Sequence, residues 1–326
     1  MPFPFNAYLL AFTGAFLASL FSFPLWRKWS INTGLVDQPG HRKIHHTPVP
    51  LTGGLAVLTG FLFPILAATA LIVSGVLQGP WTEPLSYGLD KRLFQLLAIV
   101  SGACGMVLLG WYDDRHTLKP LPKFSGQFLI ALLVAASGIR ITLFVDNVVF
   151  SYAITVLWIL TFTNSLNFLD NMNGLCSGLG FIAASCFAMA AISRGQYLVA
   201  ILALLIAGAL LGFLPYNFPN AKAFLGDSGS HLVGYLMAVL AILPHFYSSD
   251  LQVSQLSVLS PLLILIVPIY DITTVIMIRL KLGKPIYEGD TNHISHRLVR
   301  RGLSKSTAVL TLWLIALAFG ALSFFI

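Results

Sequence analysis

Leu93-Phe-Gln-Leu-Leu-Ala-Ile-Val-Ser-Gly-Ala-Cys-Gly-Met-Val-Leu-Leu-Gly-Trp-Tyr112-Asp113-Asp114-Arg115 is the stretch that decides the fold. A helix needs about 20 mostly apolar residues to cross a hydrocarbon layer. Residues 93–112 supply that length with only Gln95 and Ser101 as polar interruptions. A solvent-facing helix would show a polar stripe instead. The run then stops on two carboxylates, which places them at a membrane boundary rather than in a loop of a soluble protein.

The rest of the chain repeats the pattern. Of 326 residues, 57% are hydrophobic and 10% charged, with a mean hydropathy of +0.83. Soluble domains carry about 25% charged residues, and a soluble core could not absorb this much apolar surface. Ten candidate spans follow, at 6–26, 51–75, 93–112, 124–138, 150–168, 175–193, 197–215, 230–247, 257–279 and 307–326. No repeat or long linker separates them, so residues 1–326 read as one all-α polytopic membrane domain. Arg27 and Lys28 follow the first apolar segment, no basic region precedes it, and it reads as a retained span. Cys104, Cys176 and Cys186 lack metal or disulfide spacing and read as small buried hydrophobes. Between two spans, β-branched alternation around Asp146-Asn147 in Arg140–Phe150 predicts a small outer β-hairpin.

Basic residues set the expected orientation. With the N-terminus outside, 15 of the 19 Lys and Arg fall on one side, leaving Lys91, Arg92, Arg140 and Arg194 on the other. The positive-inside rule makes the first side cytoplasmic. The net charge of +7 is then a consequence of topology and needs no nucleic-acid partner.

That topology puts the polar motifs on the cytoplasmic loops. They are Gly34 to Gly54, Asp113-Asp114-Arg115 to Lys123, Asn164 to Leu175, Phe224 to Ser230 with Gly226-Asp227-Ser228-Gly229, and Asp290 to Arg297. Glu83, Asp90, Asp146 and Asp250 are scattered on the outer side. Adjacent carboxylates at a membrane boundary repel unless compensated; Asp113 and Asp114 read either as a solvated loop start or as ligands for Mg²⁺, which joins carboxylates to phosphates. Asn164, Asn167 and Asp170 recur every three residues, as a helix cap or as a set for a metal or a nucleotide base. Gly226 to Ser230 could place an anion at a helix N-terminus, with Asp227 on its cation. His293, His296 and Arg297 suit phosphate; zinc lacks a second ligand set. Asp271, inside the ninth span, is costly in a bilayer and is the main support for a transporter with a proton path. One-sided acids and the lack of inverted repeats speak against transport.

At these residues the sequence resembles the polyprenyl-phosphate N-acetylhexosamine-1-phosphate transferase family. It looks most like the branch that moves GlcNAc-1-phosphate from UDP-GlcNAc to undecaprenyl phosphate, and less like the phospho-MurNAc-pentapeptide translocases. The resemblance runs from Gly34 to His296, five motifs in family order. It implies catalytic roles for Asp113, Asp114 and Lys123, and Mg²⁺ (with Mn²⁺ as an alternative) on Asn167 and Asp227. It implies substrate contacts at Asn164, Asp170, Asn173, His293, His296, Arg297 and His45. Asp113 is the expected acid–base group, with an aspartyl-phosphate route left open. Implied too are a UDP-sugar and a polyprenyl phosphate as substrates, UMP as product, a bacterial inner membrane, a cytoplasmic site and the first membrane step of cell-envelope polysaccharide synthesis. A homodimer is left open. Two departures bear on the sugar: His-Ile-His-His appears as His293-Ile-Ser295-His296, and Asp-Gly-x-Asp-Gly as Asp170-Asn171-Met-Asn173-Gly174. Another UDP-sugar, or transport of a phosphorylated ligand, are the competing readings.

Overall fold

A computed structural model describes residues 4–38, 47–76, 82–143, 145–244, 255–287 and 289–326. The helices are α1 (Phe5–Thr33), α2 (Gly53–Val73), α3 (Thr82–His116), α4 (Pro120–Ala136), α5 (Val148–Leu169) and α6 (Leu175–Ser193). They continue as α7 (Tyr197–Asn217), α8 (Gly226–Ile242), α9 (Ser260–Ile264), α10 (Ile266–Lys281), α11 (Ile294–Arg300) and α12 (Lys305–Leu322). Two strands, β1 (Val36–Asp37) and β2 (Val49–Pro50), pair antiparallel.

Among the described residues, seven helices are long and apolar enough to cross a membrane, or eight if the segment Leu256–Ile264 and α10, bent by 72°, form one span. The outer surface carries large apolar side chains such as Leu10, Phe21, Leu25, Leu108, Leu129 and Leu314. An apolar belt of that kind requires lipid around it, and the protein is a multi-pass membrane protein. The expected spans at 124–138 and 230–247 correspond to α4 and α8, each 17 residues long in the described chain. Helix α8 packs against α2, α3, α5, α6 and α7, and from Gly226 to Ala241 every residue but Asp227 is buried. A helix sheathed by protein is not held to the thickness of the lipid.

The hairpin expected at 140–150 is not formed. Residues 139–143 and 145–147 are irregular, and α5 starts at Val148. Asn147 caps it, accepting from Phe150 N at 3.0 Å, while Ser151 Oγ donates to Ile141 O and Ile141 N to Thr155 Oγ1. The segment's polar groups are therefore satisfied by the first turns of α5 rather than by a partner strand. The small sheet lies elsewhere, ahead of α2, and Leu51 bridges from it to Phe224 just before α8.

Leu51 N donates to Leu35 O, Lys123 meets Asp113, Asn167 meets Asp227 and Gly174 N donates to Asn217 Oδ1. The C-terminal ends of α1, α3, α5 and α7 therefore meet the N-terminal ends of α2, α4, α6 and α8 at one end of the bundle.

Candidate active site

Asp113 and Asp114 close α3 at that end, but they are not a dyad. Neighbours on a helix point about 100° apart and do not face each other. Asp113, 7% exposed, turns toward α4: its Oδ1 accepts from Leu118 N at 2.6 Å and its Oδ2 lies 2.8 Å from Lys123 Nζ. Asp114 turns toward α8, where its two oxygens accept from Asp227 N (2.8 Å) and Ser228 N (3.1 Å). A carboxylate on the free amides of a helix N-terminus satisfies orphan donors and meets the positive end of the helix dipole. The approach is tight. A Cβ on Gly110, one turn before Asp114, would fall 2.4 Å from both Asp227 O and Ser228 N. Gly226 adopts φ +72, a left-handed conformation open to glycine, and a Cβ there would meet Asp114 Oδ2 at 2.8 Å.

Lys123, in the first turn of α4, gathers the remaining groups. Its Nζ lies 2.8 Å from Asp113 Oδ2 and 3.0 Å from Asp227 Oδ2, with Asn167 Oδ1 at 3.5 Å. Asn167 Nδ2 donates to Asp227 Oδ1 at 2.6 Å and to Ser230 Oγ at 2.8 Å. Asp170 follows as the C-cap of α5. Burial, and after it the Asp227 and Asp114 carboxylates, push its pKa well above the usual carboxylate range. Asp113, Asp114, Asp170 and Asp227 thus share one end of the bundle, with the Lys123 ammonium between Asp113 and Asp227. Asn164 sits one turn deeper, its Nδ2 donating to Gln127 Oε1 (2.7 Å) and Leu160 O (2.8 Å). Asn173 Nδ2 donates to Pro219 O at 3.0 Å, tying the α5–α6 turn to the α7–α8 turn.

A second cluster comes from the C-terminal loop. Asp271 on α10 is 1% exposed; its Oδ2 lies 2.7 Å from His293 Nδ1 and its Oδ1 accepts from Ile294 N at 2.7 Å. A carboxylate on Nδ1 fixes the imidazole and leaves Nε2 for a ligand. The intramembrane charge that had suggested a proton path instead anchors His293 and the start of α11. Arg279, 1% exposed, pairs with Asp290 at 2.8 Å and lies over the Phe168 ring at 5.1 Å, which faces His293 at 5.9 Å. Phe168 follows Asn167, so the two clusters share a wall. In His296, burial and then His293 lower the pKa. Arg297 keeps a buried Nη1 without a hydrogen-bond partner.

The two departures in sequence also find places. Ser295 is buried and donates to Asn171 Oδ1 at 2.7 Å. It ties α11 to the α5–α6 turn, leaving His293 and His296 as the imidazoles of this segment. Sequence reasoning missed Gln127 and His231, buried polar residues of α4 and α8, and the Arg279–Asp290 pair. For the first two, polar residues one turn beyond Lys123 and Asp227 were a legible signal. His45 and the rest of residues 39–46 lie outside the described residues.

Among the described residues, no three of His, Cys, Asp and Glu are placed to hold a metal ion by themselves. The donor chemistry nevertheless fits a hard cation. Asp113, Asp227 and Asn167 direct carboxylate and amide oxygens at one cationic centre, the Lys123 ammonium. Mg²⁺ is held in that way by one or two carboxylates completed by substrate phosphates.

An apolar helical bundle with acids, an amide and a lysine converging at one end defines the class, a multi-pass membrane protein with a charged polar cluster at one end. Comparison with known proteins gives the family. The sequence model described as glycosyl transferase family 4 matches residues 96–245. A probable undecaprenyl-phosphate N-acetylglucosaminyl 1-phosphate transferase of Bacillus subtilis is 35% identical over 95% of this chain and 82% of its own length. The decaprenyl-phosphate N-acetylglucosaminephosphotransferase of Mycobacterium tuberculosis is 31% identical over 97% and 81%. More distant is the phospho-N-acetylmuramoyl-pentapeptide-transferase of Geobacillus kaustophilus, at 28% over 99% and 98%. The chain belongs to the polyprenyl-phosphate N-acetylhexosamine-1-phosphate transferases.

Proposed function

We propose that residues 1–326 form one transferase unit that moves GlcNAc-1-phosphate from UDP-GlcNAc to a polyprenyl phosphate, releasing UMP. The observation that carries this is the meeting of Lys123 with Asp113, Asp227 and Asn167 at the end of an apolar bundle. One substrate cannot leave the lipid and the other cannot enter it, so the reaction belongs at the interface. The asymmetry of basic residues supports a cytoplasmic position for this end; an inner membrane is inferred from the family branch.

Lys123 swings from its acidic partners to the diphosphate of the donor, Arg297 Nη1 offers a further donor to its oxygens, and His293, held at Nδ1 by Asp271, lies beside them. Asp227 and Asn167 would hold Mg²⁺, which when bound neutralises charge building on the departing UMP. The movement of Lys123 uncovers Asp113 Oδ2, the group we assign to take the proton of the lipid phosphate. A lipid phosphate oxygen then bonds to the β-phosphorus and the bond to UMP breaks. The Asp114 carboxylate is fully used in holding α8, so we assign it to positioning Asp227.

The test is UMP release by purified protein given UDP-GlcNAc, undecaprenyl phosphate and Mg²⁺. Release that needs the lipid phosphate, stops with a chelator, returns with Mg²⁺ and is lost in Asp113→Asn and Asp227→Asn is the expected result. Turnover with a different UDP-sugar alone would change the donor. No turnover with any UDP-sugar in folded protein would refute the proposal.

A further inference from the structure

The three helices that present Lys123, Asn167 and Asp227 repeat the arrangement one turn deeper. Gln127 follows Lys123 by four residues on α4, Asn164 precedes Asn167 by three on α5, and His231 follows Asp227 by four on α8. These spacings put each second residue on the same helix face as the first. Asn164 Nδ2 donates to Gln127 Oε1 at 2.7 Å, and Gln127 Nε2 lies 3.3 Å from His231 Nε2. Gln127 and His231 are both 0% exposed.

The direction of this chain is fixed by one backbone carbonyl. Leu160 O can only accept, so the Asn164 atom 2.8 Å from it is the amide nitrogen. The Gln127 atom receiving that nitrogen's other proton must then be oxygen, which turns the Gln127 NH₂ toward His231. His231 Nε2 has to accept, so the imidazole is neutral with its proton on Nδ1. That Nδ1 is buried with no partner. An unsatisfied buried donor costs about 1–3 kcal/mol, a cost that an apolar residue at 231 would not carry.

We propose that Gln127 and His231 are positioning residues for the transfer reaction, forming a polar floor that holds α4, α5 and α8 in register beneath the reacting side chains. The upper contacts cannot do this throughout a cycle. The Lys123–Asp113 and Lys123–Asp227 contacts are those that substrate displaces in the reaction proposed above, on which this inference rests. Apolar contacts between helices in a bilayer are not directional and lack a hydrophobic driving force. The floor stays closed while the upper tier opens, and keeps the three groups at their spacing when they let go of one another.

The experiment compares Gln127→Met, His231→Leu, the double variant and His231→Gln with the unmodified protein. The readouts are kcat, KM for UDP-GlcNAc and thermal midpoint in detergent. Turnover by the unmodified protein tests the reaction itself, so failure there is distinguishable from failure of the floor. Each single apolar variant is expected to lose 10- to 100-fold in kcat, the scale of roughly 1 Å of misplacement, with KM within about twofold. The double variant should be no worse than the poorer single, because the pair acts through one bond. His231→Gln, which keeps an acceptor for Gln127 Nε2, should stay within about threefold of the unmodified kcat. If Gln127→Met does not accumulate as folded protein, Gln127→Asn, too short to span Asn164 and His231, should show the same loss of kcat. Unchanged kcat in the single variants would overturn the proposal. So would losses that track the thermal midpoint and add in the double variant, since those describe packing alone.

Discussion

Asp114→Asn separates the two adjacent aspartates. The carboxylate gives one oxygen to Asp227 N at 2.8 Å and the other to Ser228 N at 3.1 Å. An asparagine has a single oxygen, so one of those amides would face an NH₂ group. Losing one charge-assisted hydrogen bond costs about 1.5–3 kcal/mol. Losing the negative charge at the helix N-terminus adds about 0.3–1 kcal/mol. The expected destabilisation is about 2–4 kcal/mol, and the start of α8 carries Asp227 with it, so kcat should fall on the order of 100-fold. Asp113→Asn keeps an acceptor for Leu118 N and weakens the contact with Lys123, which is partly exposed. It should abolish turnover with a smaller change in stability. The assay is UMP release beside a thermal melt of both variants in the same detergent. Equal melting midpoints for the two variants, or an unchanged midpoint for Asp114→Asn, would refute the capping argument.

Other expectations follow from single contacts. Asp271→Asn should lower kcat at least tenfold, because the partner of His293 Nδ1 and of Ile294 N loses its charge; UMP release by the variant checks it. Gly110→Ala drives a methyl into Asp227 O and Ser228 N and should cost roughly 1–3 kcal/mol. Gly105→Ala meets only the Ile130 side chain, at 3.1 Å, and should melt closer to the unmodified protein. Asp290→Asn takes the charge partner from buried Arg279, which keeps its bond to Ile286 O and the Phe168 ring, and should destabilise by about 1.5–3 kcal/mol. Burial alone would raise the Asp290 pKa, but its bonds to Arg279 and Asn292 N outweigh that and hold it below the usual value. The pair's contribution is therefore full above about pH 4 and is lost only as pH falls through the lower folded value. Melting between pH 5 and 8 should show no step from this pair.

The sequence alone determined the class. Apolar runs such as 93–112 have few places to go but a bilayer, and the one-sided distribution of acids and histidines marked the end where chemistry would be sought. It also carried the motif spacing that led to the family. Helix periodicity made Asn164 and Asn167 legible as one face, because three residues is a local distance. What it could not convey was direction between helices. Asp113 and Asp114 are neighbours in the chain yet face α4 and α8, since a helix turns through about 100° per residue. The hairpin expected at 140–150 failed for a related reason: β-branched alternation describes a strand only when a partner edge exists, and here Ser151 and Thr155 of α5 took up the backbone groups.

Asp271 looked like a lone charge in lipid until the loop 23 residues further on returned to place His293 and Ile294 against it. Ser295 looked like a lost imidazole until Asn171, 124 residues away, proved to be its partner. The cost of a buried polar group depends on what the rest of the chain brings to it, and that information is absent from local pattern. Burial and membrane crossing are sums over residues and can be read along the sequence. Pairing is a relation between distant residues, which only the tertiary structure decides.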